Sequence, residues 1–211
     1  MDEYDVYWRV SEMLNKQDFV LDIGCGNGNL VNYLARRLGR EVVGLDISDE
    51  GFARALGAAK RDRLLHLVRC VRADAEAVPF SDAAFDAVLL VHTLHHLARP
   101  EAILRETWRV LKPRGKLIIG ELVVEEGQQR YGCHQLLVPD VQRMLRRAGF
   151  VELSTQLLCL DTALFVMTRG SSPELATLGV PATGYLHQDA STVGDGWPID
   201  LPLPGGGCAR A

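Results

Sequence analysis

The sequence predicts a doubly wound α/β fold with a mostly parallel, seven-stranded sheet and an antiparallel hairpin at one edge. Three observations carry this prediction. Apolar runs of strand length alternate with segments of helical periodicity, a dense glycine turn follows the first run, and two apolar stretches lie close together near the end of this pattern. Strands separated by helices imply right-handed crossovers and a sheet that helices cover on both faces.

The first five strands and their helices are predicted from periodicity and from capping residues. Gly39 closes the helix that follows the first strand. Ser48 is predicted to cap the next helix, with Asp49 and Glu50 in its first turn. The segment 112–115 is predicted to be a turn. The predicted strands are residues 19–23, 41–45, 67–73, 85–91 and 116–119, and the helices between them include residues 29–38 and 100–111.

Two more strands are expected after this region. A helix is predicted over residues 139–148, and Gly149 ends it. The apolar stretches 151–153 and 158–167 follow, with only a short connection between them. We expect these two stretches to pair as the antiparallel hairpin at the sheet edge.

The chain divides into three parts by composition. Residues 19–169 form the main domain, while residues 170–211 are rich in Gly, Pro, Ser and Thr and are expected to be disordered or loosely docked. Residues 1–18 are expected to contain a helix. This helix either closes over the site as a lid or simply packs its apolar side on the sheet. The side chains that a lid would use are Tyr4, Tyr7 and Trp8.

Composition and charge narrow the function classes. The net charge is −4 and the pI is near 5.9, so nucleic acid is not expected as a partner. No uncharged apolar run reaches the roughly 20 residues that span a bilayer, and the acidic N-terminus lacks the pattern of a secretory signal. The five cysteines are scattered without a Cys-x-x-Cys pair, which disfavours a disulfide framework or a zinc site. We therefore expect a cytoplasmic protein without membrane insertion, and its oligomeric state stays open.

The glycine turn after the first strand carries the clearest functional signal. Residues 22–28 read D-I-G-C-G-N-G and stand where the carboxyl ends of parallel strands form a ligand crevice. Glycines let the backbone approach a ligand, and the following helix offers free N–H groups. The turn starts like the dinucleotide fingerprint G-x-G-x-x-G, but Asn29 stands where that fingerprint has Gly or Ala. Asn29 counts against a nicotinamide oxidoreductase, which stays an alternative together with a tight turn that binds no ligand.

Acidic residues end the second and third predicted strands. Asp46 follows the second strand, where a carboxylate can accept both hydrogen bonds of a ribose diol. Asp74 follows the third strand, where a carboxylate can accept from the exocyclic amine of adenine. Taken alone, Asp46 is also consistent with a helix cap that binds no ligand, and Asp74 is also consistent with an ordinary loop residue.

Five segments occur in a fixed order: V-L-D-I-G-C-G-N-G at 20–28, G-L-D-I-S at 44–48, D-A-E-A-V-P-F at 74–80, F-D-A-V at 85–88 and R-V-L-K-P at 109–113. Together they resemble successive motifs of class I S-adenosylmethionine-dependent methyltransferases. They are most similar to the small-molecule branch with the ubiquinone and menaquinone ring C-methyltransferases. The resemblance covers about residues 19–169 and implies a Rossmann-like fold with S-adenosylmethionine as cofactor. One departure is Arg114, where the family often has Gly.

The resemblance also implies a set of cofactor-binding residues. Asp46 would hold the ribose hydroxyls, Asp74 and the Ala75 backbone would read the adenine edge, and Val91 with His92 would line the floor near the sulfonium. The acidic residue and glycines of the turn would surround the methionine part. The full implied set is Asp22, Gly24, Gly26, Gly28, Asp46, Ile47, Asp74, Ala75, Val91 and His92.

The resemblance implies methyl transfer to O or C of a small-molecule acceptor. Positioning alone can supply roughly 7 to 11 kcal/mol in such a reaction, so a base is optional. His92, His95 and His96 cluster after the fourth strand, and His134 stands in a later loop with Tyr131; among these, His92, His95 and His134 are the candidate bases. No metal site is expected. The alternative is a non-catalytic protein that binds the cofactor or a partner, and the sequence does not identify the acceptor.

Overall fold

The structure is a computed structural model that describes residues 3–124, 136–159 and 161–170. Within these residues, seven strands form one sheet and five α-helices flank it. The strands are β1 (Val20–Ile23), β2 (Val42–Asp46), β3 (Val68–Arg72), β4 (Phe85–Val91), β5 (Leu111–Leu122), β6 (Phe150–Cys159) and β7 (Thr162–Arg169). The α-helices are α1 (Glu3–Glu12), α2 (Asn29–Leu38), α3 (Phe52–Arg61), α4 (Pro100–Val110) and α5 (Val138–Arg147).

The strand order confirms the predicted fold class. The order is β3-β2-β1-β4-β5-β7-β6, and the first five of these strands run parallel. β7 pairs antiparallel with β5, and β6 pairs antiparallel with β7. The chain winds outward from β1 to β3 and then returns to place β4 on the other side of β1. The carboxyl end of β1 is therefore the switch point at which ligands bind in open α/β sheets.

Two apolar layers cover the sheet. On one face α1, α2 and α3 pack through residues such as Val10, Leu34 and Phe52, all of which are fully buried. On the other face α4 and α5 pack through residues such as Leu104 and Val141. Apolar residues recur at helical spacing, so each helix presents one apolar side to the sheet. Burial on both faces explains why the parallel strands read as continuous apolar runs.

The structure corrects the predicted start of α3. Ser48 does not cap this helix, which starts at Phe52 with Gly51 at its N-cap. The Ser48 hydroxyl instead accepts a hydrogen bond from the Glu50 N–H at 3.2 Å, within a local turn. Asp49 and Glu50 consequently precede the helix and are not in its first turn.

The structure also corrects the strands near the other end of the sheet. β5 begins at Leu111, because Leu111 pairs with Phe85 before the register shifts to Ala87 and Lys116. The predicted turn at 112–115 is thus an irregularity within a longer strand. β6 runs over Phe150–Cys159, so residue 158 belongs to β6 and not to the last strand. The antiparallel hairpin itself is confirmed.

The N-terminal helix α1 packs in the apolar layer on one face of the sheet. Val6, Tyr7 and Val10 are buried against the layer that contains α2, whereas Tyr4 and Trp8 are exposed. This is the packing expected of a simple amphipathic helix. Of the predicted tail at 170–211, residues 171–211 lie outside the described residues. Among the helices of the described residues, none is long and apolar enough to cross a lipid bilayer.

Candidate functional site

The turn that follows β1 has backbone torsion angles that favour glycine. Gly24 has a φ of +77° and its N–H donates to the Leu45 carbonyl oxygen at 2.8 Å, which ties the turn to β2. A Cβ at Gly24 would lie 2.6 Å from the Thr93 hydroxyl oxygen. Gly26 also has a positive φ, of +49°, but a Cβ there would meet nothing within 4 Å. Space is therefore open over Gly26, as a ligand requires.

Gly28 serves packing between helices. A Cβ at this position would overlap the Cβ of Ala55 in α3. The Asn32 side-chain amide reinforces the same junction, because it donates to the Gly28 carbonyl at 2.9 Å and to the Ala55 carbonyl at 3.0 Å. Gly28 lets α2 and α3 approach each other, and it does not line the cavity described below.

Asp46 connects the end of β2 to the glycine turn. Its Oδ2 accepts from the Gly26 N–H at 2.8 Å, and its Oδ1 accepts from the Ser48 N–H at 3.0 Å. A carboxylate offers about four acceptor positions, so each oxygen can still accept a bond from a ligand. The adjacent Ile47 side chain is 68% exposed, which is unusual for a large apolar residue beside a buried strand.

A cavity of about 380 Å³ opens at the carboxyl ends of the strands. Its size lies in the range of roughly 300 to 1,000 Å³ that is typical of small-molecule and cofactor sites. Six residues of the set implied by the family resemblance line it: Gly24, Asp46, Ile47, Asp74, Ala75 and His92. The structure therefore brings the ends of β1, β2, β3 and β4 together around one space.

Four residues of the implied set lie outside this lining, and Asp22 is the most informative of them. Val91, Gly26 and Gly28 also fall outside it. Asp22 is buried beneath the glycine turn, and burial, followed by the nearby charge of Asp46, raises the pKa of its carboxyl to about 8. A carboxyl of this kind favours a positively charged neighbour.

The three clustered histidines have different surroundings. His92 has a φ of +53° and lines the cavity, and His96 lines it too. His95 is buried instead, with its Nδ1 2.6 Å from Oε1 of the fully buried Glu121. The structure thus does not bring His95 into the cavity, because Glu121 holds its ring in the interior. His134 and Tyr131 lie outside the described residues.

Several lining residues were missed by sequence reasoning. These are Glu76, Thr93, Leu97, Ala98 and Ile103. Thr93 shares its hydroxyl proton between the carbonyl oxygens of Val91 (3.1 Å) and Ile23 (3.2 Å), which fastens β4 to β1. The apolar residues come from the segment between β4 and the first turns of α4. Their signal in the sequence is only their position just after a strand that ends at the switch point.

Gly51 was also missed. A Cβ on Gly51 would overlap the carbonyl oxygen of Gly26 and come within 2.9 Å of the Asn27 nitrogen. Gly51 therefore allows the start of α3 to lie directly against the glycine turn. The available signal was a glycine just before a helix, which alone indicates a turn and not a site.

Arg109, in the last turn of α4, has a structural role that accounts for the arginine at the start of R-V-L-K-P. Its guanidinium donates to the carbonyl oxygens of Phe80 (2.7 Å) and Val78 (2.8 Å) and pairs with Glu106 and Asp82, both at 2.8 Å. The hydrogen bonds to Glu106 are the main reason that the pKa of Arg109 rises further above its usual range. This residue fixes the loop after β3, which carries Asp74, onto α4.

The described residues contain no group of three or more His, Cys, Asp or Glu side chains that could hold a metal ion. The residues around the cavity instead suit a nucleoside. Asp46 and Asp74 line the space, and the exposed Ile47 offers an apolar surface. Gly26, which donates its N–H to Asp46, has an open backbone that admits close approach. This arrangement fits the adenosyl group of the cofactor that the family resemblance implies.

Comparison with known proteins shows what part of this chain is similar to a known family. Residues 21–119 match the family described as "Methyltransferase domain". Over 111 residues the chain is 35% identical to 27-O-demethylrifamycin SV methyltransferase of Amycolatopsis mediterranei, which covers 53% of this chain and 41% of that protein. It is 40% identical over 109 residues to the ubiquinone/menaquinone biosynthesis C-methyltransferase UbiE of Azotobacter vinelandii, covering 48% of this chain and 41% of that protein.

A solved structure shares the fold. The [4+2]-cyclase SpnF superimposes with a TM-score of 0.74 at 24% identity, over 79% of this chain and 80% of that chain. The chain spans about two fifths of the length of the two relatives named above. Residues 21–119 thus match a methyltransferase domain, and the two curated relatives are methyltransferases by their names.

Proposed function

We propose that this chain transfers the methyl group of S-adenosylmethionine to an O or C atom of a small-molecule acceptor. The observation that carries the proposal is the cavity at the switch point, which Gly24 of the glycine turn, Asp46 and Asp74 line together. The similarity to enzymes named for methyl transfer supports the same activity. By their names, one relative methylates 27-O-demethylrifamycin SV and the other is a C-methyltransferase of ubiquinone and menaquinone biosynthesis. Both names support a small-molecule acceptor.

The proposed cofactor contacts follow from the positions of the lining residues. Asp46 accepts the ribose hydroxyls, and Asp74 with the Ala75 backbone binds the adenine edge. Ile47 packs against the adenine ring, because its exposed apolar side chain gains most from being covered. The open backbone at Gly26 lies against the methionine part, with Asp22 beneath it.

When bound, S-adenosylmethionine supplies a methyl group that its sulfonium already activates for displacement. The contribution expected of the protein is to hold the acceptor in line with that methyl group and to exclude water. If the acceptor atom carries a proton, His92 is a candidate base, because it lines the cavity, as His96 also does. His134 stays a second candidate. His95 is not positioned to act as a base at this cavity, because it pairs with Glu121 in the interior.

A non-catalytic protein that only binds the cofactor is the alternative. The cyclase SpnF has the same fold, so the fold alone does not determine the reaction. The matched family and the relatives named for methyl transfer favour catalysis. The two functions are separated by incubating the protein and isotope-labelled S-adenosylmethionine with a cell extract. Labelled products that depend on the protein support transfer, and binding without any labelled product supports the alternative.

Calorimetry with S-adenosylhomocysteine tests the cofactor site directly. We expect the wild-type protein to bind and Asp46→Asn to bind at least about tenfold more weakly, since the amide has lost an acceptor that a ribose hydroxyl needs. Asp49→Asn is the matched control, because Asp49 pairs with Arg72 at 3.5 Å on the surface and does not line the cavity. No heat with the wild-type protein, or equal affinity in Asp46→Asn, would refute this assignment.

We also propose that the protein works in the cytoplasm and does not bind nucleic acid. Cys25 and Cys70 are buried free thiols, and burial raises the pKa of Cys70 to about 11. Unpaired cysteines suit a reducing compartment. The net charge of −4 supports the exclusion of nucleic acid. Fractionation of cells that produce the protein at native levels tests the first proposal, and gel-shift titration tests the second.

A further inference from the structure

An ion pair joins the two sides of the cavity at its solvent edge. Glu76 stands in the loop after β3, and Arg99 stands just before α4. Arg99 Nε donates to Glu76 Oε1 at 3.0 Å, and a second guanidinium nitrogen lies 2.6 Å from Oε2. The pair is therefore bidentate, which is the strongest geometry for arginine and a carboxylate. The Arg99 side chain is 71% exposed and that of Glu76 is 22% exposed.

Arg99 occupies a position where a helix start favours a different residue. It is the N-cap of α4, and it makes no side-chain capping hydrogen bond. Ser, Thr, Asp and Asn are preferred at N-caps, and a positive charge at this end opposes the helix dipole. The local stability of α4 therefore does not explain an arginine here. The contact of Arg99 with Glu76, across the cavity edge, explains why an arginine stands at this position.

The position of the pair relative to the cavity is specific. Glu76 lines the cavity, and so does Ala98, the residue before Arg99. Deeper in the structure the same loop is fixed to α4 by Arg109 and Glu106, which do not line the cavity. The loop thus has one partly buried anchor on α4, at Arg109 and Glu106, and one contact at the edge whose arginine is mostly exposed. The exposed contact can open without disturbing the anchor.

We propose that Glu76 and Arg99 form a latch that slows the release of the nucleoside ligand from this cavity. The inference rests on the proposed function, since it assumes that an adenosyl group occupies the space. An adenosyl group held by Asp46 and Asp74 lies between the two segments that the latch joins. Release of the ligand then requires the ion pair to break, while the rest of the site stays intact. Glu76 and Arg99 are in this sense residues that set the lifetime of the complex.

The expected size of the effect follows from the exposure of the pair. Surface ion pairs contribute at most a small amount, so loss of the latch accelerates release by about two- to fivefold. Screening by salt weakens an exposed pair, so release from the wild-type protein becomes faster between about 0.02 and 0.5 M KCl. Variants without the pair release the ligand quickly at low salt and lose this salt dependence.

The experiment measures the dissociation rate of S-adenosylhomocysteine by rapid-mixing displacement in four proteins: wild type, Glu76→Gln, Arg99→Asn and the double variant. Asn at position 99 supplies the missing N-cap, so this variant is expected to melt no lower than the wild type. A purely structural role for Arg99 predicts the opposite, with faster release accompanied by a lower melting temperature. The matched control is Arg143→Ala, which removes the exposed pair with Asp140 on α5, far from the cavity lining.

Support for the latch consists of faster, salt-insensitive release in both single variants, no further acceleration in the double variant and an unchanged rate in the control. Release at the wild-type rate in Glu76→Gln and Arg99→Asn overturns the latch while leaving the cofactor site standing. Additive acceleration in the double variant also overturns it, because the two residues would then act separately. Failure of the wild-type protein to bind S-adenosylhomocysteine overturns the proposed function itself.

Discussion

Replacing Asp22 by Asn is expected to stabilise the protein at alkaline pH. Burial, followed by the charge of Asp46, raises the pKa of the Asp22 carboxyl from 3.8 to about 8. The folded protein therefore keeps this proton to a higher pH than the unfolded chain does. The resulting stability is complete below about pH 3.8 and is lost as the pH rises to about 8. The free energy of unfolding lost between these two pH values approaches about 6 kcal/mol, at about 1.4 kcal/mol for each unit by which the pKa is raised.

Urea unfolding from pH 4.5 to 8.5 measures this effect. Asn has nearly the shape of the protonated carboxyl but cannot ionise, so the two proteins should be similar at pH 4.5 and diverge by several kcal/mol at pH 8.5. Among the neighbouring groups, burial raises the pKa of Tyr7 and of Cys25 further above the usual values, so neither titrates in this window. Asp140→Asn, at an exposed site, is the control. Parallel stability curves for Asp22→Asn and the wild type would refute the reasoning.

The same carboxyl should report on the charge of the ligand. A cation near Asp22 favours the ionised form and lowers its pKa, so binding of positively charged S-adenosylmethionine at pH 7 should release a proton. Calorimetry in two buffers with different ionisation enthalpies counts that proton. Asp22→Asn should bind without proton release. A wild-type protein that releases none would show that the positive groups of the ligand lie away from this carboxyl.

Three further substitutions test the packing described above. Gly51→Ala should weaken S-adenosylhomocysteine binding by at least about tenfold in calorimetry, because its Cβ would overlap the glycine turn. Its control is Gly57→Ala in α3, where a Cβ has space and should raise the free energy of unfolding by about 0.5 to 1 kcal/mol. Equal affinity of the two variants for the ligand would contradict this. Thr107→Val should raise the melting temperature by about 2 to 4 °C, since the buried Thr107 hydroxyl has no hydrogen-bond partner among the described residues. A lower melting temperature would indicate that it has one. Arg109→Lys should lower the free energy of unfolding in urea by about 2 to 4 kcal/mol, because an ammonium cannot replace the bidentate contacts, and a loss below 1 kcal/mol would refute that role.

The parts of the fold that were predictable are those that local pattern determines. β4 was predicted with the same boundaries that it has, because an apolar run buried on both faces leaves a continuous signal. The starts of α3 and β5 were not predicted correctly. Ser48 has the composition of a cap, but whether it caps a helix or closes a turn depends on where the backbone goes next. The extent of β6 was missed because an edge strand has few buried positions to mark it.

The candidate site divides in the same way. Asp46 and Asp74 were predictable because each directly follows a strand, and the carboxyl ends of parallel strands meet. His95 was not separable from His92 in the sequence. Its separation depends on Glu121, which is 26 positions away in the chain and becomes its neighbour only in the folded sheet. The contact of Glu76 with Arg99 is of the same kind, because two loops bring it together.

The backbone of His92 has a consequence for attempts to improve this protein. A φ of +53° is a conformation that glycine adopts freely and that other residues hold at a cost of about 1 to 3 kcal/mol. Selection for thermal resistance alone would favour glycine at this position, and each such gain would remove an imidazole from the wall of the cavity. Heat tolerance and the chemistry of the pocket are thus coupled through one torsion angle, and a thermostable derivative should be sought at Thr107 or Gly57 instead.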